Sequence, residues 1–328
     1  MSATLTEPDA APRTPKTPPP RSSRSTAGDR RGKAPLPWAP WLLLAPSIVL
    51  LGVMVVYPTI VMFINSFTNL EIKNKMLGTA PDFVGFDNYI EVFTKSDFPA
   101  VLARSLGLMV VLTVLIIALG MLVAMLMTKL TKGWRLTVSI GLLLAWAMPP
   151  LSATVVWGWI FDTDYGLVNW ALNTITGTND FRGHSWLIDP WSFMMVLTIL
   201  IVWQSVPFAA FTFYAGRGQV PDEVLEASAL DGASAWQRFR LIVLPYMRNI
   251  ITAVIVLETI WNMRIFTQVY ALQQQGGIAS ETNVLGTYLF RQGLGEFGVT
   301  AAIGVFMVVL LMAISYFNVR NTLKEEEL

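Results

Sequence analysis

The stretch EASALDGASAWQRFRLIVLP, residues 226–245, lies between two long apolar segments and is itself polar and regular. The Pro-Asp-Glu sequence at 221–223 suits the first turn of a helix, and Gly232 suits its end. A second helix can begin at Ser234 and should end at Pro245, which lacks a backbone donor. The segment therefore predicts a helix–turn–helix that lies outside the apolar regions, as a docking surface or as a simple connection.

The rest of the chain has the composition of a membrane protein. Of its 328 residues, 54% are hydrophobic and 14% are charged, whereas soluble domains have about 25% charged residues. No Cys and one His exclude disulfides, thiolate nucleophiles and Cys/His zinc sites. A net charge of +1 gives no basic field for nucleic acid. The nearest match to a phosphate-binding loop, residues 28–34, has Ala34 where Ser or Thr would bind magnesium, so no ATP site is expected in this chain.

Apolar windows of about 20 residues predict membrane-spanning helices. Six windows have this character: 41–64, 106–127, 136–160, 191–215, 250–272 and 299–319. They predict an all-α, polytopic membrane domain over 38–322, with kinks at internal prolines such as Pro149 and Pro150. The Pro-rich segment 1–37 predicts a disordered tail, and 323–328 a second, short tail.

The distribution of Lys and Arg predicts the orientation. With six spans, both tails and the loops after spans two and four share one side, which holds most of the 23 basic residues. We therefore expect both termini and the loop 217–246 in the cytoplasm, and the loops 65–104, 161–190 and 273–298 outside. Four tryptophans near the predicted membrane boundaries favour an aromatic belt: Trp157, Trp159, Trp186 and Trp191.

Several motifs resemble one protein family. Glu226-Ala227-Ser228, then Gly232-Ala233, then Ile242-Val243-Leu244-Pro245 resembles the cytoplasmic "EAA…G…I.LP" loop of ABC importer permeases, with Ser228 in place of the usual Ala. The resemblance extends to carbohydrate importer permeases through four further stretches: PSIVLLGVMVVYPTIVMFINSF (46–67), FVGFDNYIEVF (83–93), GLVNWAL (166–172) and WLIDP (186–190). FTQVYAL (266–272) and the following Gly276-Gly277 are similar too, but Thr267 and the segment 273–278 depart from the family pattern and leave the sugar open.

The resemblance implies the permease of a type I ABC importer, in the bacterial cytoplasmic (inner) membrane and first of a heterodimeric pair. It implies as partners a second permease subunit, an ABC ATPase dimer that holds ATP and magnesium, an extracytoplasmic sugar-binding protein and membrane lipid. No nucleic acid partner is expected. The segment 221–245 then becomes a coupling helix, and its expected ATPase-coupling residues are Glu226, Ala227, Ser228, Asp231, Gly232, Ala233, Leu244 and Pro245.

Polar residues within the spans are candidates for a substrate path, because ionisable side chains are costly in a bilayer. Glu258 with Asn262, and Arg264 with Gln268, are each spaced to share a helix face. The candidate residues are Gln204, Glu258, Trp261, Asn262, Arg264, Gln268 and Tyr270, with Phe266 as a further aromatic. The polar groups can bind sugar hydroxyls and the aromatic rings can stack on a pyranose. Alternatively, the polar groups meet the partner permease, and the aromatic rings pack in the core or against lipid.

Other functions remain as alternatives to uptake of a di- or oligosaccharide. A glycerol-phosphate importer would favour basic groups along the path, and Arg264 is one such group. A secondary transporter would place coupling carboxylates inside spans, where Glu258 lies, and often has inverted repeats. A membrane enzyme would need a nucleophile–base pair or a metal site. The one His, His184, lies in an outer loop near Asp180 and Asp189, and is interpreted as a surface residue.

Overall fold

A computed structural model describes residues 38–94 and 96–326. The predicted disorder of 1–37 falls outside the described residues, as do positions 327 and 328 of the predicted second tail. Within the described ranges the chain is helical, with two isolated bridges and no β-strand. The α-helices are α1 (Ala39–Leu51), α2 (Tyr57–Asn65), α3 (Ile72–Leu77), α4 (Asp87–Thr94), α5 (Phe98–Lys129), α6 (Lys132–Ala147), α7 (Pro150–Ile160), α8 (Leu167–Thr176), α9 (Pro190–Arg217), α10 (Asp222–Leu230), α11 (Ala235–Arg238), α12 (Leu244–Tyr246), α13 (Arg248–Met263), α14 (Thr267–Gln273), α15 (Ala279–Thr282), α16 (Leu285–Gln292) and α17 (Phe297–Glu326).

Two short π-helical segments, Gly52–Val56 and Phe239–Val243, interrupt this pattern. Each ends two residues before a proline, Pro58 or Pro245. A proline cannot donate to the carbonyl four residues earlier and its ring crowds that carbonyl. The wider π turn accommodates this defect without ending the helical path.

The chain divides into two compact units, Met1–Val55 and Val56–Leu328. In the described part of the first unit, α1 is an apolar helix that contains Pro46. The packing contacts, cavities and loops described below belong to the second unit.

Five helical segments of the described chain are long and apolar enough to cross a membrane. They are Trp41–Asn65, Phe98–Lys129, Pro190–Arg217, Arg248–Gln273 and Phe297–Phe317. The pair α6 and α7 gives a sixth if it counts as one span, but the two helices are bent by 103°. The helical membrane class is therefore confirmed, and the predicted crossing at 136–160 is a broken one.

The break between α6 and α7 follows from two consecutive prolines. Met148 and Pro149 both have extended backbone, with ψ of 127° and 137°. Each of them precedes a proline, whose ring disfavours the α conformation in the residue before it. The expected kink is consequently a sharp corner.

Helices α5 and α9 pack along one another and form the centre of the main hydrophobic core. The two helices approach closely at Gly120, where an added Cβ would lie 2.6 Å from the Cβ of Ala209. Small residues at helix contacts in membranes allow such close approach. A second core forms where α4, α16 and α17 meet the first half of α5, with Phe93, Phe98 and Phe306 in edge-to-face contacts.

The loop 161–190 is organised around the buried side chain of Asn169. Its amide donates to the backbone oxygens of Thr163 (3.1 Å) and His184 (2.8 Å). Its Oδ1 accepts a hydrogen bond from the indole nitrogen of Trp186 at 2.7 Å. The GLVNWAL and WLIDP motifs of the sequence are thus joined by one hydrogen bond.

The four tryptophans predicted to form an aromatic belt fall into two pairs. Trp159 and Trp191 are exposed, as a belt requires. Trp186 is half-buried in its loop, and Trp157 packs against the ring of Trp203 with centroids 5.7 Å apart. Ring contacts and a hydrogen bond within the protein hold Trp157 and Trp186, so the belt stays a prediction for these two residues.

Candidate coupling segment and transport cavity

The segment between α9 and α13 is a helical hairpin that turns at Gly232. Helix α10 ends at Leu230, and Gly232 adopts a left-handed conformation with φ of +84°. The Ala233 N–H donates to the Ser228 carbonyl (3.0 Å), and the Gly232 N–H donates to the Ala229 carbonyl (3.1 Å). This pair of bonds is a Schellman motif, which satisfies carbonyls at the helix end and favours glycine at this position. The predicted stop at Gly232 is confirmed.

The second arm of the hairpin begins at Ser234, as the sequence predicts. Ser234 and Gln237 form a capping box, in which each side chain accepts a hydrogen bond from the other residue's backbone N–H (3.3 and 2.7 Å). The prediction that Pro245 ends this helix is wrong. The helical path continues through the π turn Phe239–Val243 to Tyr246, because the wider turn accommodates the missing donor of Pro245.

The face of the hairpin around the turn is exposed. Glu226, Ala227, Asp231 and Gly232 are exposed. The neighbouring Leu230 is 89% exposed, which is unusual for a leucine between two ordered helices. Among the described residues, Glu226 has no hydrogen-bond or ion-pair partner. Of the other expected coupling residues, Ser228, Ala233 and Leu244 are half-buried and Pro245 is exposed.

The base of the hairpin is fixed to the membrane helices. Val243 and Met247 are buried, and Leu225 and Phe239 pack against the main core. At Gly216, near the end of α9, an added Cβ would lie 2.8 Å from Cδ1 of Ile250 in α13. The two helices that flank the hairpin therefore touch at its base.

A cavity of about 350 Å³ lies where α9, α13 and α14 face the corner between α6 and α7. Its polar lining comes from Gln204, Ser205, Glu258 and Gln268, and its aromatic lining from Trp146, Phe208 and Trp261. A neighbouring cavity of about 240 Å³ shares Ser205, Trp261 and Gln268 and adds Asn262, Arg264 and Phe266.

Gln204 connects three of the elements around this cavity. Its Nε2 donates to the Met148 carbonyl at 2.8 Å, which satisfies a backbone group at the corner between α6 and α7. Its Oε1 accepts a hydrogen bond from Nε2 of Gln268 at 3.2 Å. The predicted proximity of Gln204 and Gln268 is therefore present, and this bond joins α9 to α14 across the cavity wall.

Glu258 is fully buried, yet neither carboxylate oxygen has a hydrogen-bond donor among the described residues. The same side chain lines the cavity with Gln204 and Trp261. A buried charge without a partner is strongly unfavourable, so a group from outside the described chain must satisfy this carboxylate or a proton must neutralise it.

Arg264 and Gln268 do not share a continuous helix face. Helix α13 ends at Met263, Arg264 is its C-cap, and α14 begins at Thr267. The predicted face is wrong because the helix is interrupted between the two residues. The side chain of Arg264 is exposed and borders the smaller cavity beside Gln268.

Asn262 and Tyr270 are turned toward other parts of the protein. The amide of Asn262 donates to Oγ1 of Thr113 in α5 at 3.1 Å, although the residue borders the smaller cavity. Tyr270 stacks on Phe266 with centroids 5.4 Å apart and meets the edge of Phe290. Tyr270 lines neither cavity. Trp261 does line both cavities, with its ring against Phe208 at 5.1 Å.

Ser205, Phe208, Trp146 and the Met148 carbonyl are cavity groups that the sequence reasoning missed. Phe208 follows Gln204 by four residues, and this spacing indicates that the two side chains share a helix face. Among the residues that the structure describes, no cluster of His, Asp or Glu is arranged to hold a metal ion.

Helices of membrane-spanning length, an exposed hairpin between two of them and a polar cavity beside the same two define a membrane transport protein. The chain belongs to the family "Binding-protein-dependent transport system inner membrane component", which matches residues 116–321. It is therefore an inner-membrane component of such a transport system.

Relatives cover nearly the whole chain. The diacetylchitobiose uptake system permease protein DasB of Streptomyces coelicolor is 37% identical over 307 residues, 93% of this chain and 92% of that protein. The trehalose/maltose transport system permease protein MalF of Thermococcus litoralis is 28% identical over 281 residues, 85% of this chain and 92% of that protein. In a crystal structure of a bacterial ABC transporter that imports the acidic polysaccharide alginate, one chain has a TM-score of 0.73 and 19% identity, over 88% of this chain and 96% of that one. This last likeness confirms the fold.

Proposed function

We propose that this chain is the permease subunit of an ATP-driven ABC importer that carries a neutral di- or oligosaccharide across the inner membrane. The named substrates of the two relatives, diacetylchitobiose and trehalose or maltose, support a sugar as cargo. A second permease completes the pore, and an extracytoplasmic binding protein delivers the sugar. An ATPase dimer holds ATP and magnesium.

The cavity beside α9, α13 and α14 carries this proposal. Amide groups of Gln204 and Gln268 and the hydroxyl of Ser205 are suited to sugar hydroxyls, and Trp261 offers an exposed aromatic face. Binding sites for small molecules commonly combine apolar walls with a few converging polar groups. Glu258 has two free acceptor oxygens, which suit the hydroxyl donors of a sugar.

The same carboxylate disfavours a glycerol-phosphate importer. An ionised Glu258 would repel an anion in the larger cavity, where the charge is poorly screened. Arg264 borders only the smaller cavity, so an anion would meet Glu258 on one side of Trp261 and Arg264 on the other.

In this proposal, the hairpin 221–245 couples conformational changes of the ATPase to the membrane helices. Its exposed turn fits into a cleft of the ATPase, where Glu226 pairs with a basic side chain and the small residues allow close approach. This requires the hairpin and both termini to be cytoplasmic, which the distribution of basic residues supports.

Uptake and purification test the proposal together. The gene for this chain is deleted in its host, and entry of labelled diacetylchitobiose, maltose, trehalose and glycerol phosphate is measured. Loss of uptake of one neutral sugar, restored by the wild-type gene, is expected; loss of glycerol-phosphate uptake alone contradicts the sugar assignment.

In a second experiment, the tagged chain is purified in mild detergent, and mass spectrometry should find an ATPase and a second permease with it. A chain that purifies alone contradicts the coupling role.

A further inference from the structure

A groove of about 450 Å³ lies between the membrane helices and the membrane-facing side of the hairpin. Its floor is apolar and includes Met121, Met125 and Phe239. Its polar edge consists of three cations, Lys129, Arg217 and Arg238. Neither cavity described above shares a residue with this groove.

The three cations have no partner within the described chain. None of their side chains makes a hydrogen bond or an ion pair with another residue that the structure describes. Lys129 is the last residue of α5, where a cation commonly stabilises the helix end. Arg135 already does this, since it donates to the carbonyls of Met127 (3.1 Å) and Leu130 (2.9 Å). Lys129 is therefore available to a ligand.

The groove is open to the bilayer. Leu122 and Trp236 border it and are 65% and 66% exposed. Leu122 belongs to a helix that spans the membrane, and Trp236 carries the amphipathic ring that is typical of the membrane–water interface. Met121 lies eight residues, about 12 Å, from Lys129 along the apolar helix α5, so an acyl chain beside this helix can reach the floor.

We propose that this groove binds one anionic phospholipid of the inner membrane. The phosphate contacts Lys129, Arg217 and Arg238, and an acyl chain lies on the apolar floor. Basic pockets between membrane helices are suited to such headgroups, and each cation strengthens binding about fivefold. The bound lipid would pack beneath Trp236 and Phe239 and so support the hairpin from the membrane side. This site does not depend on which molecule the protein transports.

Lipid retention by the purified importer tests the site. The importer is exchanged into nanodiscs that contain equal parts of phosphatidylglycerol and phosphatidylcholine, released into detergent and examined by native mass spectrometry. Wild-type protein should retain phosphatidylglycerol in preference. Arg238→Gln should lower this retention about fivefold, and Lys129→Gln with Arg238→Gln about 25-fold, if each cation contributes equally.

Matched variants separate the site from general charge and from folding. Arg240→Gln removes an exposed cation from the same segment outside the groove and should retain lipid as wild type does. Arg238→Lys keeps the charge and should retain most of the lipid. Equal retention by wild type and Arg238→Gln would overturn the proposal. Displacement of phosphatidylglycerol by millimolar inorganic phosphate would overturn it too, because the apolar floor would then contribute nothing.

Discussion

Replacing Gly232 by alanine tests how much the hairpin depends on the left-handed backbone conformation at its turn. Gly232 has φ of +84°, and an added Cβ would meet no atom within 4 Å. The cost is therefore conformational and not steric. A residue with a Cβ loses about 1–2 kcal/mol in this conformation. Every 1.4 kcal/mol is a factor of ten, so the closed hairpin should become roughly tenfold less populated relative to open forms.

Three substitutions at this position have different consequences. Gly232→Asn should be nearly neutral for the turn, because asparagine tolerates the left-handed region. Gly232→Ala should weaken the coupling of ATP hydrolysis to sugar import, and it should do so through backbone strain alone. Gly232→Leu adds a large side chain to the exposed turn, and should assemble poorly with the ATPase or hydrolyse ATP without import. Gly133→Ala is the control, since its Cβ also meets nothing within 4 Å and its φ is not positive.

The assay is the ratio of sugar imported to phosphate released by the complete importer in proteoliposomes with its binding protein. Wild type, Gly133→Ala and Gly232→Asn should share one ratio, Gly232→Ala should lie below it and Gly232→Leu lowest. Normal uptake by Gly232→Leu would refute docking at this turn. Equal values for the alanine and leucine variants would show that strain alone, and not contact with the ATPase, explains the defect.

Three further changes test other parts of the structure. Glu258→Gln should raise the apparent Tm of the sugar-free protein, because it removes the cost of either leaving a buried carboxylate ionised without a partner or protonating it, and should lower sugar uptake; a lower Tm would show that the carboxylate has a stabilising partner. Asn169→Ala should destabilise the loop 161–190 by about 2–3 kcal/mol through the loss of its bonds, including the one to Trp186, and limited proteolysis should detect the loosened loop. Gly120→Val should cost about 1–3 kcal/mol by forcing α5 from Ala209, measured as thermal stability in detergent.

The features that the sequence predicts well depend on local chemistry. Long apolar runs must become helices in a bilayer because their backbone groups need internal partners, so five of the six windows appear as helical spans, one of them interrupted after Met263. The turn of the hairpin is equally local: Gly232 and Ser234 form their bonds within five residues along the chain. These residues define their own geometry and need no distant contact.

The features that the sequence does not predict depend on distant contacts or on competing backbone geometries. Asn262 bonds Thr113, which lies 149 residues away, and no spacing rule could identify that partner. Helix α13 ends before Arg264 although neither Gly nor Pro marks the place. The sequence around Pro245 is typical of a helix end, but a π turn also accommodates the missing backbone donor of proline. The sequence predicts four side chains of the larger cavity, which are Gln204, Glu258, Trp261 and Gln268, and it misses Ser205, Phe208 and Trp146.

The hairpin and the cavity are connected by the two helices that flank the hairpin. Helix α9 runs without interruption from Gln204 to Arg217, about 20 Å at the rise of an α-helix, and α13 runs from Arg248 to Glu258, about 15 Å. Their near ends touch at Gly216, and their far ends hold polar groups that line the same cavity. A displacement of the hairpin must therefore move two walls of the cavity at once, and the bond between Gln204 and Gln268 is a contact that such motion would strain first.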